Sequence, residues 1–232
     1  MQIVEYHDED LSKVVEAAFP ALAPFVARMR TWVERTDIAR LALMHLHGGI
    51  YADLDVRLHS ASSLHALLRT GRVYLPFEKH QLVGQFLLID ASPQRHPLWE
   101  SLAAGMVKSY DSRCYETLNT GPDRLTRLWN ELCQANSSRL QNVTLHDGLV
   151  RGPISQHYQT GSWRGANRGW RERRRGELGC SFHQARVACL VDGAALGGCK
   201  LRSGSVHCAP TPRTRSRRPA QHRTTPSSGL LR

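Results

Sequence analysis

The chain has 232 residues, with 31 Lys and Arg against 20 Asp and Glu and a formal net charge of +11. That length suits one generous domain or a domain with an appendage, and the charge decides for the second, because residues 1–163 balance to −1 while 164–232 carry +12. Basic charge gathered in one polar arm argues against a nucleic-acid surface spread over a fold, and the absence of a signal peptide or an apolar run of about 18 residues excludes a membrane span within this sequence.

Met1 to Tyr6 reads as a short strand, and the His7-Asp-Glu-Asp10 cluster then caps an amphipathic helix from Leu11 to Phe19, ended by Pro20 and Pro24. Thr36-Asp37 is the expected N-cap pair of a second helix, with Ile38, Leu41, Leu43, Met44 and Leu46 on a helical pattern until Gly48-Gly49 stops it. Ile50 to Ala52 then forms a short strand that delivers Asp53-Leu54-Asp55 to its carboxyl end, the edge where open α/β sheets place ligands. Further strands are expected at Val73 to Phe77 and Gln85 to Ile89. Helices follow over Pro97 to Ser109 and Pro122 to Gln134, the latter entered through Gly121-Pro122. Two short strands, Val143 to Leu145 and Ile154 to Tyr158, complete an alternation that predicts an α/β fold.

After Trp163 the sequence turns Arg-rich, Gly-rich and finally Pro/Arg/Ser/Thr-rich, with little apolar surface to offset ordering entropy. The expectation is therefore a globular unit over 1–163 and a disordered, basic, low-complexity tail over 164–232. Cys180, Cys189, Cys199 and Cys208 lie in that tail without the paired spacing of a zinc site.

Two carboxylates one residue apart on an extended segment reach toward a single cation, and hard oxygen ligands suit Mg²⁺ or Mn²⁺. Alone, Asp-x-Asp is a weak motif, far more often an acidic turn after a strand. The context changes that balance, because Asp37 and Arg40 lie three apart on a helix and share a face. The Gly48-Gly49 turn brings the next strand back beside them, so Asp37, Arg40, Asp53 and Asp55 converge on one pocket in which Arg40 balances the carboxylates.

In register over Thr36-Asp-Ile-Ala-Arg-Leu-Ala-Leu-Met-His-Leu-His-Gly-Gly-Ile-Tyr-Ala-Asp-Leu-Asp-Val56, these residues resemble the sugar-binding, Asp-x-Asp region of family 32 glycosyltransferases. Leu82-Val-Gly-Gln-Phe-Leu-Leu-Ile-Asp-Ala-Ser-Pro93, His96-Pro-Leu-Trp99, Asn119-Thr-Gly-Pro-Asp-Arg-Leu-Thr126 and His157-Tyr-Gln-Thr-Gly-Ser-Trp163 extend the resemblance over about residues 1–163. It implies a GT-A-like fold, a Rossmann-like mixed sheet flanked by helices. It also implies a retaining transfer, dependent on Mn²⁺ or Mg²⁺, of a hexose from GDP-mannose or a UDP-hexose to a glycan or glycosphingolipid acceptor in the Golgi or another secretory membrane. Mapped by motif, Asp37 and Arg40 grip the donor sugar with Gly49 beside them, and Tyr51 lines the nucleotide pocket. Asp53 and Asp55 take the ribose, the metal and the diphosphate. The H-x-x-x-x-S-W element closes the site through His157, Ser162 and Trp163, with His157 and Ser162 as metal ligands, and Gly121 forms a turn at the acceptor side.

Departures from the family pattern accompany the match. The family's first βα unit is missing before Met1, Gln85 stands where Asn is usual, and the tail resembles nothing in the family. Glu78 is expected either at the donor sugar or in a solvated turn. The tail's arginines suit anionic lipid headgroups or RNA, although an unselected, solvated extension is the favoured reading. A reading from another class follows: a truncated, non-catalytic transferase-like protein whose basic tail docks nucleic acid or acidic membranes.

Overall fold

The structure, a computed structural model, describes residues 3–78, 81–114, 116–150, 152–158 and 187, and the backbone of 199–202 and 205–208. Its helices are α1 (Asp8–Ala18), α2 (Ala23–Val26), α3 (Trp32–His47), α4 (Ala61–Leu68), α5 (Pro97–Lys108), α6 (Glu116–Asn119) and α7 (Pro122–Gln134). Its strands are β1 (Gly49–Ala52), β2 (Val56–Leu58), β3 (Val73–Pro76), β4 (Leu87–Asp90), β5 (Val143–His146), β6 (Ser155–His157) and a hairpin of β7 (Cys199–Arg202) with β8 (Ser205–Cys208). Apart from that hairpin and Val187, the segment expected to form the tail lies outside the described residues.

Helix α3 starts at Trp32, earlier than Thr36-Asp37 would place it. The cause is a capping box whose N-cap lies five residues upstream: Glu34 N donates to Thr31 Oγ1 at 3.3 Å and Thr31 N donates to Glu34 Oε2 at 3.1 Å, so two orphan amides at the helix start are satisfied reciprocally. Asp37 therefore sits inside the helix, where its side chain faces the protein rather than the cap. At the other end Gly48 takes φ +61 and its N–H returns to Met44 O at 3.0 Å. A Cβ there would stand 3.2 Å from Asp90 O, so glycine both turns the chain and lets β1 lie against β4.

Two other expectations are corrected. Residues 3–7 form no strand; among the described residues no strand pairs with them, and Ile3 and Val4 are exposed. Pro24 does not only follow the first helix but opens α2, where its missing N–H costs no bond.

The main sheet is mixed, in the order β1-β4-β3-β5, with β1–β4 and β4–β3 antiparallel and β3–β5 parallel. Side chains alternate across it. Val73 and Leu75 of β3, Leu88 of β4 and Val143 and Leu145 of β5 face a core shared with α1, α3, α5 and α7. Tyr74, Leu87 and Ile89 face a second core with Leu64 of α4 and Leu149, Val150 and Ile154. Helices thus flank a mixed sheet in the GT-A-like manner, and among the described residues no helix is long and apolar enough to cross a membrane.

A separate two-stranded sheet sets the site's geometry. β2 pairs antiparallel with β6, with Val56 opposite His157. The residue after β6, Tyr158, donates its N–H to Asp55 O at 3.0 Å. Cys114 and Cys133 are both disulfide-bonded.

Candidate donor and cation site

Asp53 is held at the end of β1 from both sides of the backbone, its N–H donating to Phe86 O at 2.8 Å and its carbonyl accepting from Val56 N at 3.0 Å. This tight turn leaves Leu54 fully exposed and turns both flanking carboxylates into the same space. Tyr51 Oη donates to Asp53 Oδ1 at 2.7 Å, and Arg40 Nη1 approaches Asp53 Oδ2 at 3.5 Å. Across the site, His157 Nε2 lies 3.3 Å from Asp55 Oδ1 and its ring stacks on Phe86 at 4.0 Å between centroids. Asp53, Asp55 and His157 each present a ligand atom, and these atoms lie within 4.8 Å of one another.

Arg40 is the hub of the buried side. Its guanidinium reaches Asp37 Oδ1 at 3.1 Å and the Gln85 carbonyl at 3.1 Å, and it lies over the Tyr51 ring at 5.3 Å. Asp37 Oδ2 accepts from Thr120 Oγ1 at 2.8 Å, and Gln85 Nε2 donates to Thr120 O at 3.2 Å. Four expected charges, Asp37, Arg40, Asp53 and Asp55, are brought together through these contacts, and Tyr51 proves to orient Asp53 through its hydroxyl. Removing one partner from a buried pair of this kind typically costs about 3–5 kcal/mol, because the other charge is left uncompensated.

The surroundings set the protonation states. Burial pushes Asp37 up to about 6, outweighing the pull of Arg40 and of the Thr120 hydrogen bond. Burial works against the charged form of Arg40 as well, but the Asp37, Asp53 and Asp55 carboxylates offset it and the guanidinium stays charged. Burial and the Asp53 charge keep the Tyr51 phenol protonated, hence a donor. Burial lowers His157 despite the nearby Asp55 and Asp53, so its imidazole is neutral at neutral pH and able to act as a ligand.

Three carboxylates thus face one guanidinium, with a neutral imidazole beside the outer pair, and the excess of negative charge fits a divalent cation held by hard oxygens and one nitrogen. Arg40 Nε and Gln85 Oε1 are buried without a hydrogen-bond partner among the described residues. Unsatisfied buried groups are uncommon in stable structures, and a bound ligand or water is one way to complete their bonding.

Other predicted residues fall at different distances from this centre. Gly49 takes φ +76 at the start of β1, a backbone role beside the site. Gly121 is the N-cap of α7 at φ −80, directly after Thr120. Glu78 is mostly buried near Gly84, and burial together with the Asp123 charge pushes it up to about 7, which corrects the solvated-turn alternative. Ser162 and Trp163 lie outside the described residues. Sequence reasoning missed Phe86, Glu34 and Asn119. Glu34 had a local signal, the Thr-x-x-Glu capping pattern at Thr31, while Phe86 and Asn119 lay inside the resembling segments 82–93 and 119–126 with no role attached.

Comparison with known proteins agrees with the geometry at the level of the region. No curated protein matches the chain. Residues 2–70, which include Asp37, Arg40, Tyr51, Asp53 and Asp55, match the family described as glycosyltransferase sugar-binding region containing DXD motif, and this supports a glycosyltransferase family for the chain.

Proposed function

We propose that this protein is a retaining, metal-dependent glycosyltransferase of the family 32 type, moving a hexose from a nucleoside-diphosphate sugar, GDP-mannose or a UDP-hexose, to a glycan or glycolipid acceptor. The observation that carries the reading is the juxtaposition of two sets of groups: Asp53, Asp55 and His157 around one point, and Asp37, Arg40 and Thr120 directly behind Asp53.

Each residue has a role that its contacts support. Asp53, Asp55 and His157 would hold Mn²⁺ or Mg²⁺, which when bound neutralises charge developing on a diphosphate leaving group. Tyr51 and Arg40 orient Asp53, so the carboxylate costs no reorganisation when the ligand arrives. Asp37, fixed by Thr120 and Arg40, keeps a carboxylate available to accept from sugar hydroxyls, and the unpartnered Gln85 Oε1 is a second acceptor beside it. Ser162 and Trp163 would close the site over the diphosphate, and Gly121 would border the acceptor. The disulfide-bonded Cys114 and Cys133 favour an oxidising compartment, in keeping with a secretory location.

Isothermal titration with GDP-mannose, UDP-galactose, UDP-glucose and UDP-N-acetylglucosamine, with and without Mn²⁺, tests the proposal. One donor should bind, its transfer or hydrolysis should stop in EDTA, and Asp55→Ala should lower turnover by at least about 10²-fold. Turnover unchanged by EDTA would overturn metal dependence. Salt-sensitive binding to anionic vesicles, with no donor bound, would favour the non-catalytic reading instead.

A further inference from the structure

Glu34 is fully buried one turn before Asp37 on α3, and the capping box accounts for only part of its bonding. Its Oε2 also accepts from Tyr110 Oη at 3.1 Å, and its Oε1 accepts from Asn119 Nδ2 at 3.0 Å, with the Arg30 guanidinium 3.6 Å away. Asn119, also fully buried, donates from Nδ2 to Asp111 O at 2.9 Å and accepts from Asp111 N at Oδ1 at 3.0 Å. Both amide hydrogens are therefore used and one orientation is fixed, since a flip would set the amide oxygen against the Glu34 carboxylate. The next residue in the chain is Thr120, whose hydroxyl holds Asp37.

Glu34 and Asp37 are three apart on one helix and Asn119 and Thr120 are adjacent, so two buried side-chain pairs key the same segment onto the same face of α3. We infer that Asn119 and Glu34 are positioning residues for the donor site: by locking the segment before α7 onto α3, they seat Thr120 on Asp37 and so set the carboxylate that meets the sugar. The inference rests on the donor-sugar reading of Asp37. A cap contact alone would need neither Asn119 nor Tyr110. Glu34 would then serve only Thr31, and loss of Asn119 would leave the sugar site untouched.

Calorimetry on the full chain in Mn²⁺ separates the cases, using the donor that the wild type binds and the matching nucleoside diphosphate without sugar. Asn119→Ala and Thr120→Val should each weaken nucleotide-sugar binding by about tenfold, the range for loss of a group that orients a binding residue, while nucleoside diphosphate affinity stays at the wild-type value. The double variant should lose little more than either single one, because both act through one contact. Glu34→Gln, which keeps an acceptor for Asn119, should retain more sugar selectivity than Glu34→Ala. Equal losses for both probes, or additive single effects, would overturn the positioning role. A wild type that binds neither probe would instead overturn the donor-site reading, and this inference with it.

Discussion

At the residue scale, the site holds its charges at some cost to stability, and Glu78 offers the cleanest measure of such a cost outside the cation cluster. Burial and Asp123 raise its carboxyl from 4.5 to about 7. A carboxyl raised on folding binds its proton more tightly in the native state, so its contribution is most favourable below the unfolded value near 4.5 and is lost as pH rises through about 7. Glu78→Gln should therefore be close to neutral at pH 4 and stabilising above pH 7, by on the order of 2–3 kcal/mol. Urea unfolding at both pH values checks this; equal effects at the two would show that Glu78 has an ordinary carboxyl. Asp37 follows the same sign, with its proton lost near pH 6, but Arg40 and Thr120 hold it where a sugar hydroxyl would need an ionised acceptor. Of these residues, Asp37 and Arg40 were legible in the sequence because helical spacing puts them on one face. The partial burial of Glu78 was not, since nothing local signals that its carboxylate packs against Gly84 within reach of the Asp123 charge.

At the scale of elements, β4 and α5 are joined by a buried polar contact that helps fix the sheet beneath the site. Trp99 Nε1 donates to Asp90 Oδ2 at 2.6 Å, and Asp90 Oδ1 accepts from Ser92 N at 2.9 Å and from the Ser92 hydroxyl. Asp90 is also the register partner of Gly49, so this carboxylate sits opposite the start of the strand that ends in Asp53. Trp99→Phe keeps most of the buried area but strands one oxygen of Asp90, and should destabilise by about 1–3 kcal/mol. A denaturation midpoint equal to wild type would show that water replaces the indole. Helix and strand centres agreed closely with expectation where apolar periodicity was strong, as in α5 and α7. Boundaries moved where a side chain decided them: Thr31 and Glu34 start α3 earlier than Thr36 would. The predicted strand at residues 1–6 had the right composition, but a strand exists only by pairing, and no described strand lies beside residues 3–7.

At the scale of the whole molecule, Cys114, in the turn before α6, and Cys133, near the end of α7, are both disulfide-bonded, which no local spacing of cysteines signalled. Dithiothreitol should lower stability by about 2–4 kcal/mol, and mass spectrometry should find neither cysteine alkylated by iodoacetamide before reduction. Alkylation of either in the unreduced protein would refute its bonding. By itself the sequence determined the composition of the centre: the Asp-x-Asp pair, the Asp37 and Arg40 spacing, the glycine turn and the α/β alternation are local or periodic features, set by backbone geometry within a few residues. Only the tertiary structure decided how the centre is assembled. His157 reaches Asp55 because β6 pairs with β2, and Thr120 reaches Asp37 because Asn119 docks on Glu34. Such contacts join residues some 80 to 100 positions apart. They form only when the burial of two helical and strand layers outweighs the entropy of bringing those segments together.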